Sequence, residues 1–366
     1  MLYTFTPGDN LSVGYMQAAL NYLLSLQTQN IDFTIRPLGR GVSWREAPFW
    51  AQDAGDYFLD CNLDGSVNLV QLTPSQLCEA PIWNGAKNIA LTTFETTRLP
   101  QWIIRKLNEA YCGVIVPSQF NQIALQDSGL TIPTRVVEHA LGDWWFDTEN
   151  ASTAPDKGDS YVFGYVGAWN RRKNPEAVLR AYLKAFPEDN DKTNLLLKVP
   201  PLKGLKSLLE HLKEDREDIW IYSEIFDEEQ MLWIFNLIDC FVSAHRGEGF
   251  GLGLAQAAAL GKPVIYTDFS APTEWLSASS GHFPLPYTLE ETQGAITEND
   301  LHFKGESLAW AEPSEQHLVE TLLQVESSRP APTGTLELRE RLSWTKVGTT
   351  LRKAIEELSG ETLKSK

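Results

Sequence analysis

The sequence has few cysteines and no long apolar run. Its four cysteines are widely spaced and form no CxxC pair (Cys61, Cys78, Cys112 and Cys240). That pattern fits a reducing compartment and neither a disulfide framework nor a zinc site. No segment approaches the roughly 20 apolar residues that a membrane-spanning helix needs, and the N-terminus lacks the basic region and apolar stretch of a signal peptide. We therefore expect a cytoplasmic protein with no integral membrane segment.

Positive charge is scarce as well. The chain has 31 Lys and Arg residues against 48 Asp and Glu residues, which gives a formal net charge of -17. A field of that sign opposes polyanions, so we expect no binding to duplex nucleic acid. A small anionic ligand is still possible, because a few local cations act at short range while the distant net charge is screened by salt. Such a site must then contain identifiable cations.

Two familiar phosphate-binding motifs are absent from the glycine-rich stretch HRGEGFGLGLAQAAALGKPVIYTDFSAPTEWL, residues 245 to 276. In GxGxxG, the third glycine would fall on Leu252, Leu254 or Gln256. In GxxxxGK[ST], the lysine would precede Ser or Thr, but Lys262 precedes Pro263. The stretch therefore predicts neither a nicotinamide-binding fingerprint nor a P-loop, and an oxidoreductase is disfavoured.

Metal-ligating motifs are missing too. The sequence contains no HExxH and no Cys/His cluster, and its DxD, from Asp189 to Asp191, falls in a polar link between a predicted helix and a predicted strand. There it is predicted to be a solvated loop, away from the carboxyl ends of the strands. We expect no metal site.

Short apolar runs alternate with helical patterns along most of the chain, which predicts an α/β fold with parallel sheets. In the first half, LYTFTP, DFTIRPL, NIALTTF, CGVIVPS and TRVVEHA are predicted strands, and VGYMQAALNYLLSLQ and QFNQIALQDSG are predicted helices. Ser118 is a plausible N-cap of the second helix, and Gly129 a plausible C-terminal stop. Residues 39 to 72 have no pattern that we can interpret.

A polar stretch without periodicity, DTENASTAPDKGDS at 147 to 160, predicts a linker between two Rossmann-like halves. After it come YVFGYVGAW, NPEAVLRAYLKAF, TNLLLKVP, LKSLLEHLKE, DIWIYSEIF, DEEQMLWIFNLI, CFVSAHR and PVIYTDF, strands and helices in alternation. We expect an N-terminal domain over 1–150 and a C-terminal domain over 160–335. One helical segment over 336–366 could pack on either domain.

The glycine-rich stretch combines an anion-attracting element with a carboxylate. It predicts a strand, a turn, and a helix from about Leu252 to Leu260, whose N-terminal amides and dipole attract an anion. Glu248 would repel that anion unless it faces something else. A nucleotide-sugar fits both the anion-attracting helix end and the carboxylate. Glu248 can accept hydrogen bonds from sugar hydroxyls while the amides of Phe250, Gly251 and Leu252 hold the β-phosphate. The alternative is an ordinary turn with an exposed glutamate.

Three consecutive cations supply the positive charge that the composition requires. In YVGAWNRRKNPEAVLRAYLKAF, a predicted strand leads through Gly167 to Arg171, Arg172 and Lys173, just before a predicted helix. Arginine can grip phosphate oxygens with two parallel bonds, and lysine acts as a point charge. Taken alone, the turn could also be a solvated basic turn.

These two stretches resemble the signature of GT-B glycosyltransferases, specifically the retaining glycosyltransferase family 4, or group 1. That signature has an acid, then FGLP, then a second acid in a helix that ends at G-x-P-V-I. The matching residues are Glu248, Phe250, Gly251, Leu252, Gly261, Pro263, Val264 and Ile265. Two positions depart from it: Gly253 replaces the usual proline, and Gln256 replaces a glutamate that holds the ribose hydroxyls in relatives.

The resemblance implies a GT-B fold, with two Rossmann-like domains and a donor site in the cleft between them. It implies a nucleotide-sugar substrate of the UDP- or GDP-sugar type, with no bound cofactor and no metal required for catalysis. Lys173, with Arg171 or Arg172, would stabilise the donor diphosphate, and Glu248 would hold the sugar. The remaining donor-binding candidates are Gly167, Arg246, Gly249, Phe250, Gly251, Leu252, Gln256 and Glu274.

The first domain offers weaker candidates for the cleft. Gly8, Asn10 and Ser12 follow the first predicted strand, where GT-B relatives contact donor or acceptor, although a simple turn with Asn10 or Ser12 as N-cap explains them equally well. Glu95 follows another predicted strand, where many relatives carry a histidine. His139 ends the last strand of this domain, and a lone histidine is more often structural.

The predicted function is a retaining transfer of a sugar from a nucleotide-sugar to an unidentified acceptor. The acceptor could be a glycan, another hydroxyl compound or a modified nucleobase. The substitution at Gln256 leaves open a non-catalytic GT-B-like binding or partner protein. Another GT-B enzyme, such as a phosphorylase or an epimerase, also stays open.

Overall fold

The computed structural model describes residues 1–5, 14–37, 66–80, 82–147, 157–189, 192–201, 216–292, 308–331 and 336–364. The chain forms two compact units. The first comprises Met1–Gly142 with Glu340–Lys366, and the second comprises Asp143–Arg339. Each is described separately below. Gly8, Asn10 and Ser12, and the predicted helix LKSLLEHLKE, lie outside the described residues.

The described helices fall within or close to the predicted segments where a prediction was made. In chain order they are Gly14–Gln27 (α1), Pro74–Glu79 (α2), Gln101–Ala110 (α3), Gln119–Asp127 (α4), Pro175–Ala185 (α5), Glu228–Leu237 (α6), Leu252–Ala259 (α7), Glu315–Ser328 (α8), Leu336–Leu342 (α9) and Trp344–Ser359 (α10). The predicted caps of α4 are confirmed. The Ser118 hydroxyl accepts a hydrogen bond from the Asn121 amide at 3.2 Å, and Gly129 has a φ of +94°, the left-handed conformation that ends many helices.

The described strands are shorter than the apolar runs wherever such a run predicted a strand. They are Leu2–Phe5 (β1), Thr34–Pro37 (β2), Val67–Gln71 (β3), Lys87–Leu91 (β4), Gly113–Val116 (β5), Thr134–Val136 (β6), Tyr161–Val166 (β7), Thr193–Lys198 (β8), Ile219–Tyr222 (β9), Cys240–Ser243 (β10), Val264–Thr267 (β11), Phe283–Leu285 (β12), Tyr287–Glu291 (β13) and Ala309–Pro313 (β14). The first unit contains a six-stranded sheet in the order β2-β1-β3-β4-β5-β6, and every strand pairing in it is parallel.

Strand β3 lies in the stretch whose pattern we could not interpret. It is buried at every position, yet its sequence, VNLVQ, carries two polar residues. Asn68 explains their presence, because its side chain accepts a hydrogen bond from the Thr4 hydroxyl at 2.9 Å and donates one to Asn88 at 2.8 Å. A polar ladder across three neighbouring strands thus satisfies the buried amides, and it conceals the strand from an argument based on hydrophobicity.

The C-terminal segment forms two helices instead of the one that we predicted. The chain breaks at Ser343, which bridges to Leu141 and whose hydroxyl caps α10. Helix α10 packs against α1 within the first unit. Gly348 permits this close approach, since a Cβ atom there would lie 2.1 Å from the Ser25 carbonyl oxygen. The Trp344 indole also donates to the Asn21 side chain at 2.7 Å.

The second unit contains a second six-stranded sheet, in the order β12-β11-β10-β7-β8-β9, with all pairings parallel. A separate antiparallel pair joins β13 and β14. Helices α5 and α8 contact each other, and their apolar residues belong to the core that covers the sheet. The predicted α/β class with two Rossmann-like halves is therefore confirmed.

The order of strands in the second sheet indicates where a ligand belongs. From β7 the chain moves outward to β8 and β9, and it then returns to β10 on the other side of β7. The carboxyl ends of β7 and β10 thus flank the position at which the strand order reverses. In open α/β sheets, ligands bind at that position.

Within the described residues, no helix is long and apolar enough to cross a membrane.

Candidate functional site

The structure brings the two predicted stretches together at the carboxyl ends of β7 and β10. The amide of Arg246 donates to the carbonyl oxygen of Arg172 at 2.7 Å. The side chain of Asn174 donates to the carbonyl oxygen of Ala244 at 3.0 Å. These bonds join the turn after β7 to the loop after β10, so the cations of one lie beside the carboxylate of the other.

The turn after β7 is shaped by two asparagines. The Asn170 side chain accepts a hydrogen bond from the Lys173 amide at 2.9 Å, and its carbonyl accepts one from the Asn174 amide at 3.0 Å. Asn174 has a φ of 54° in the left-handed region, which asparagine tolerates better than most residues. Pro175 then begins α5 at a position where the missing N–H costs nothing. The local sequence therefore fixes the direction of the basic side chains.

Glu248 is the centre of the site. Glu248 is only 4% exposed, and both of its carboxylate oxygens are paired with cations. Lys173 Nζ lies 2.5 Å from Oε1, and Arg172 Nη1 lies 3.3 Å from Oε2. Arg172 also donates to the Gly247 carbonyl oxygen at 2.8 Å. An expected sugar-binding carboxylate and two expected diphosphate-binding cations thus form one cluster.

This pairing decides the charge of Glu248. Burial on its own would raise the pKa of the carboxyl group, but Lys173 and Arg172 outweigh it and lower the pKa to about 2. Glu248 is therefore ionised at any physiological pH, and it can accept hydrogen bonds but cannot donate a proton. A buried ion pair needs further hydrogen bonds to offset desolvation. Here the bond from Arg172 to the Gly247 carbonyl oxygen is one of them, and the backbone of Glu248 is held as well.

Ser270 fixes that backbone, and sequence reasoning missed it. The Ser270 hydroxyl accepts from the Glu248 amide at 2.9 Å, and the Ala271 amide donates to the Glu248 carbonyl oxygen at 3.2 Å. Ser270 itself has φ 65° and ψ -160°, a region that is occupied almost only by glycine and costs on the order of 1–3 kcal/mol. Such strain concentrates at functional sites. A serine in this conformation gives no signal in a single sequence.

The helix after the glycine loop begins as predicted. Gly251 has a φ of +91°, and a Cβ atom there would lie 3.2 Å from Leu254 and 3.3 Å from Pro272, so both conformation and space require glycine. Helix α7 starts at the next residue, Leu252. Its first-turn amides form an anion-attracting end.

The neighbouring loop residues Gly249 and Phe250 are buried, and the Phe250 ring lies 5.8 Å from that of Trp275. Gln256 lies one turn into α7 and is 8% exposed. Contact of this side chain with a ligand stays a prediction from the sequence.

Arg246 and Arg171 lie beside this cluster. The Arg246 guanidinium forms a two-pronged pair with Glu312, with Nη2 2.9 Å from Oε1. This pair holds the loop against β14, and contact of Arg246 with a donor stays a prediction. Arg171 is exposed, with its guanidinium 5.3 Å from the ring centre of Trp310.

Gly167 and Glu274 flank this cluster. A Cβ atom on Gly167 would lie 2.7 Å from the Tyr165 hydroxyl, which donates to the Ala168 carbonyl oxygen at 2.8 Å. The glycine is thus explained by its neighbour, without a ligand. Glu274 ends a short 3-10 helix, Ala271–Glu274, and is partly buried.

His245 is a second residue that sequence reasoning missed. It is completely buried, and neither ring nitrogen has a hydrogen-bond partner among the described residues. Burial lowers its pKa to about 4, although the charge of Glu248 acts in the opposite direction. The imidazole is therefore neutral at physiological pH and adds no charge to the neighbouring cluster.

The structure describes two of the candidates in the first unit, His139 and Glu95. His139 is 5% exposed, and its ring lies 5.3 Å from the Tyr22 ring. Because the Tyr22 hydroxyl donates to Val137, His139 Nδ1 is the donor in their 3.1 Å hydrogen bond. Burial lowers the pKa of His139 to about 3, so its imidazole is neutral at physiological pH, and its place in a cleft stays a prediction. Glu95 is partly buried in the segment after β4.

The DxD segment is only partly described. Asp189 accepts hydrogen bonds from the amides of Glu217 and Asp218, each at 3.2 Å, and it lies near Arg216. It therefore fixes a local turn. In the part of the chain that the structure describes, no group of three or more His, Cys, Asp or Glu side chains could hold a metal ion.

Comparisons with known proteins agree with this geometry. Residues 147–281 match the family model described as glycosyl transferases group 1. No curated protein matches the chain in sequence. Among solved structures, the chain is similar to Anabaena HepE in complex with UDP-glucose, with a TM-score of 0.68, 12% identity, and coverage of 99% of this chain and 100% of that one.

Two further structures show the same likeness across almost the whole chain. Sucrose-phosphate synthase from Thermosynechococcus elongatus has a TM-score of 0.65 and 14% identity, and it covers 98% of this chain and 99% of its own. A glycosyltransferase from Rickettsia africae has a TM-score of 0.64 and 13% identity, with 98% of each chain covered. At these identities the likeness establishes the fold. The chain thus has the GT-B fold, and its segment 147–281 is similar to the glycosyl transferases group 1.

Proposed function

We propose that this protein is a retaining glycosyltransferase that moves a sugar from a nucleotide-sugar to a hydroxyl group of an acceptor. The observation that carries the proposal is the cluster of Glu248 with Lys173 and Arg172, buried at the carboxyl ends of β7 and β10 beside the N-terminus of α7. A glycan, another hydroxyl compound or a modified nucleobase would serve as acceptor. Family 4 within group 1 stays a prediction.

In this proposal two kinds of group bind different parts of the donor: cations and amides bind the diphosphate, and a carboxylate binds the sugar. Lys173, whose side chain is 24% exposed, stabilises the diphosphate together with Arg172 and the first amides of α7. Glu248 accepts hydrogen bonds from the sugar hydroxyls, because its low pKa keeps it ionised. Its pairing with both cations also holds them in position before the donor arrives, which reduces the cost of binding.

The same geometry suggests how the reaction proceeds. As the bond between the anomeric carbon and the β-phosphate oxygen breaks, negative charge grows on the phosphate, where Lys173, Arg172 and the helix amides stabilise it. The acceptor oxygen forms the new bond on the same face, and its proton passes to the departing phosphate. Glu248 does not act as a proton donor, because it is already ionised.

UDP-sugars are the first donors to test. The similar HepE structures were solved with UDP, with UDP-glucose, and with UDP and glucose, and GDP-sugars are the second class. We also propose a cytoplasmic location. In the described part of the chain, Cys78, Cys112 and Cys240 are free thiols, which fits a reducing compartment.

A second candidate function rests on Gln256. Its buried amide stands where the resemblance places a glutamate that holds the ribose, so donor binding without turnover would describe a GT-B-like binding protein.

A panel of UDP- and GDP-sugars tests both functions. Binding is measured by calorimetry, and donor hydrolysis or transfer by nuclear magnetic resonance, which also reports the anomeric configuration of the product. The variant Lys173→Met removes one cation of the cluster, and Lys346→Met, on the exposed face of α10, is the matched control. We expect turnover with retention, abolished by the first variant and unchanged by the second.

Three results have distinct meanings. Binding without hydrolysis or transfer supports the binding protein. Turnover with inversion contradicts the retaining mechanism. The absence of binding to any nucleotide-sugar, with Lys173→Met indistinguishable from the parent protein, overturns the proposed function.

A further inference from the structure

A cavity lies at the edge of the second sheet opposite to the candidate donor site. Its volume is about 610 Å³, and it is lined by the residues that precede β7, β10 and β11 and by the chain that follows α8. Because its lining residues precede these strands, the cavity lies at their amino ends, whereas the candidate donor site lies at the carboxyl ends of β7 and β10. We call it the basal cavity. Its lining belongs entirely to the second unit.

The basal cavity contains a buried hydroxyl group with an unused hydrogen bond. Tyr161, the first residue of β7, is 6% exposed and lines the cavity. Its hydroxyl has no hydrogen-bond partner among the described residues. Leaving a buried polar group unpaired costs on the order of 1–3 kcal/mol, so the hydroxyl favours a partner that enters from the cavity.

Two cations line the same cavity. Lys262 comes just before β11 and has no carboxylate within ion-pair distance in the described part of the chain; its Nζ has only a long contact, 3.5 Å, to the Asn236 carbonyl oxygen. Arg329 follows α8, and its side chain donates to the carbonyl oxygens of Asp159 and Lys192 at 2.9 and 3.5 Å. Glu326 also lies close to this guanidinium, but an arginine has five N–H donors, so these three partners leave donors for a ligand.

The acidic residues of the cavity wall are largely compensated. The Asp239 carboxylate pairs with Lys157 and also accepts from the Val162 amide at 2.8 Å. Glu326 lies 3.6 Å from Arg329 at its outer side, and Asp159 is exposed at the rim. Burial lowers the pKa of Lys262, and the charge of Asp239 acts in the opposite direction. A phosphate oxygen would supply the close ion pair that Lys262 lacks among the described residues.

We propose that the basal cavity binds a phosphate monoester, with its phosphate between Lys262, Arg329 and the Tyr161 hydroxyl. Phosphate oxygens accept charge-assisted hydrogen bonds from both cations, and they supply the acceptor that the tyrosine hydroxyl lacks. The volume leaves room for a small organic group beside the phosphate. This site is separate from the proposed donor site and does not depend on its function.

Calorimetric titration of the full chain with inorganic phosphate and with glucose 6-phosphate tests the proposal. Lys262→Met removes a proposed phosphate ligand, and Tyr161→Phe removes only the hydroxyl group. Lys346→Met is the control for loss of one surface charge, and Lys173→Met removes one cation of the competing cluster at the carboxyl ends. We expect both probes to bind, with affinity reduced at least about tenfold in Lys262→Met and about fivefold in Tyr161→Phe.

The control variants decide the location of the site. The proposal predicts that Lys346→Met and Lys173→Met bind the probes as the parent protein does. Loss of binding in Lys173→Met alone would place the phosphate at the donor site and overturn the proposal. No binding of either probe to the folded parent protein, or unchanged binding in Lys262→Met and Tyr161→Phe, would show that the cavity holds only solvent.

Discussion

Two buried glutamates of the second unit differ in charge at neutral pH, since one is ionised and the other is protonated. Glu248 is 4% exposed and Glu228 is 9% exposed, so burial penalises ionisation at both. Lys173 and Arg172 nevertheless lower the pKa of Glu248 to about 2. Burial raises the pKa of Glu228 to about 8, because its partners are neutral indole N–H groups, including that of Trp144 at 3.0 Å.

The difference in partners distinguishes Glu248, in the candidate site, from Glu228, in a structural contact. A carboxylate that stays ionised inside a protein requires cations, and those cations are available to a phosphate ligand. A carboxyl group that stays protonated requires none, and it serves to hold the short helix Asp143–Phe146 against α6. Burial therefore does not distinguish the two glutamates, but their partners do.

The largest effect is expected from Glu248→Gln. The amide has nearly the same shape but no charge, so Lys173 and Arg172 lose their anion and the sugar loses a charged acceptor. We expect kcat/KM for sugar transfer to fall about 1000-fold. The control is Glu290→Gln, at an exposed glutamate of β13. Activity of Glu248→Gln within threefold of the control would contradict the assigned role.

Glu228→Gln should change the pH dependence of stability. The pKa of Glu228 rises from 4.5 in the unfolded chain to about 8 in the folded one, so its stabilising contribution is complete below pH 4.5 and is lost as the pH rises to about 8. In that window the free energy of unfolding falls by about 1.4 kcal/mol per pH unit. The variant, which stays neutral, should lack this component.

Thermal denaturation at several pH values measures the difference between parent and variant. The neighbouring exposed residue provides the control, because Glu229→Gln keeps the same helix and removes a solvent-exposed carboxylate. Parallel curves for the parent protein and Glu228→Gln from pH 4.5 to 8 would show that Glu228 is ionised in the folded protein.

Ser270 offers a smaller effect with an internal comparison. Ser270→Ala removes the acceptor for the buried Glu248 amide and keeps the strained φ of 65°. We therefore expect its free energy of unfolding to fall by about 2 kcal/mol. Ser270→Gly also loses the hydroxyl but relieves the strain, and it should be about 1 kcal/mol more stable than the alanine variant. Chemical denaturation measures both. Equal stability of the two variants would remove the argument from backbone strain.

The smallest effect is expected at Gln256. If its amide faces the ribose of a bound nucleotide, Gln256→Glu strengthens the hydrogen bond to the ribose hydroxyls and tightens UDP binding about fivefold. Calorimetry with UDP and with 2′-deoxy-UDP separates this effect from others, because the deoxy compound should gain less. An equal gain for both nucleotides would place the side chain away from the ribose.

Most of the fold was accessible from the sequence because its strands and helices are short, apolar and regularly spaced. The exceptions have physical causes. Strand β3 is stabilised through Asn68 and its amide ladder, and the break at Ser343 depends on a contact with Leu141. Both features come from partners that are distant in sequence, which no local pattern contains.

The candidate site was predictable to a similar extent. Glu248, Lys173 and Arg172 were found through residue type and spacing, and the structure places them in contact. The pairing of Arg246 with Glu312 and the support from Ser270 were not visible, because each depends on a residue more than 20 positions away. The burial of His139 was not visible either, because its position at the end of a strand does not show it.

The central claim is that Lys173 and its neighbours bind the diphosphate of a nucleotide-sugar while Glu248 holds the sugar. Calorimetric titration of the parent protein and of Lys173→Met with UDP and with uridine tests it most directly. The account predicts that UDP binds the parent at least about tenfold more tightly than it binds the variant, whereas uridine shows no such difference. Equal affinity of both proteins for UDP would contradict it.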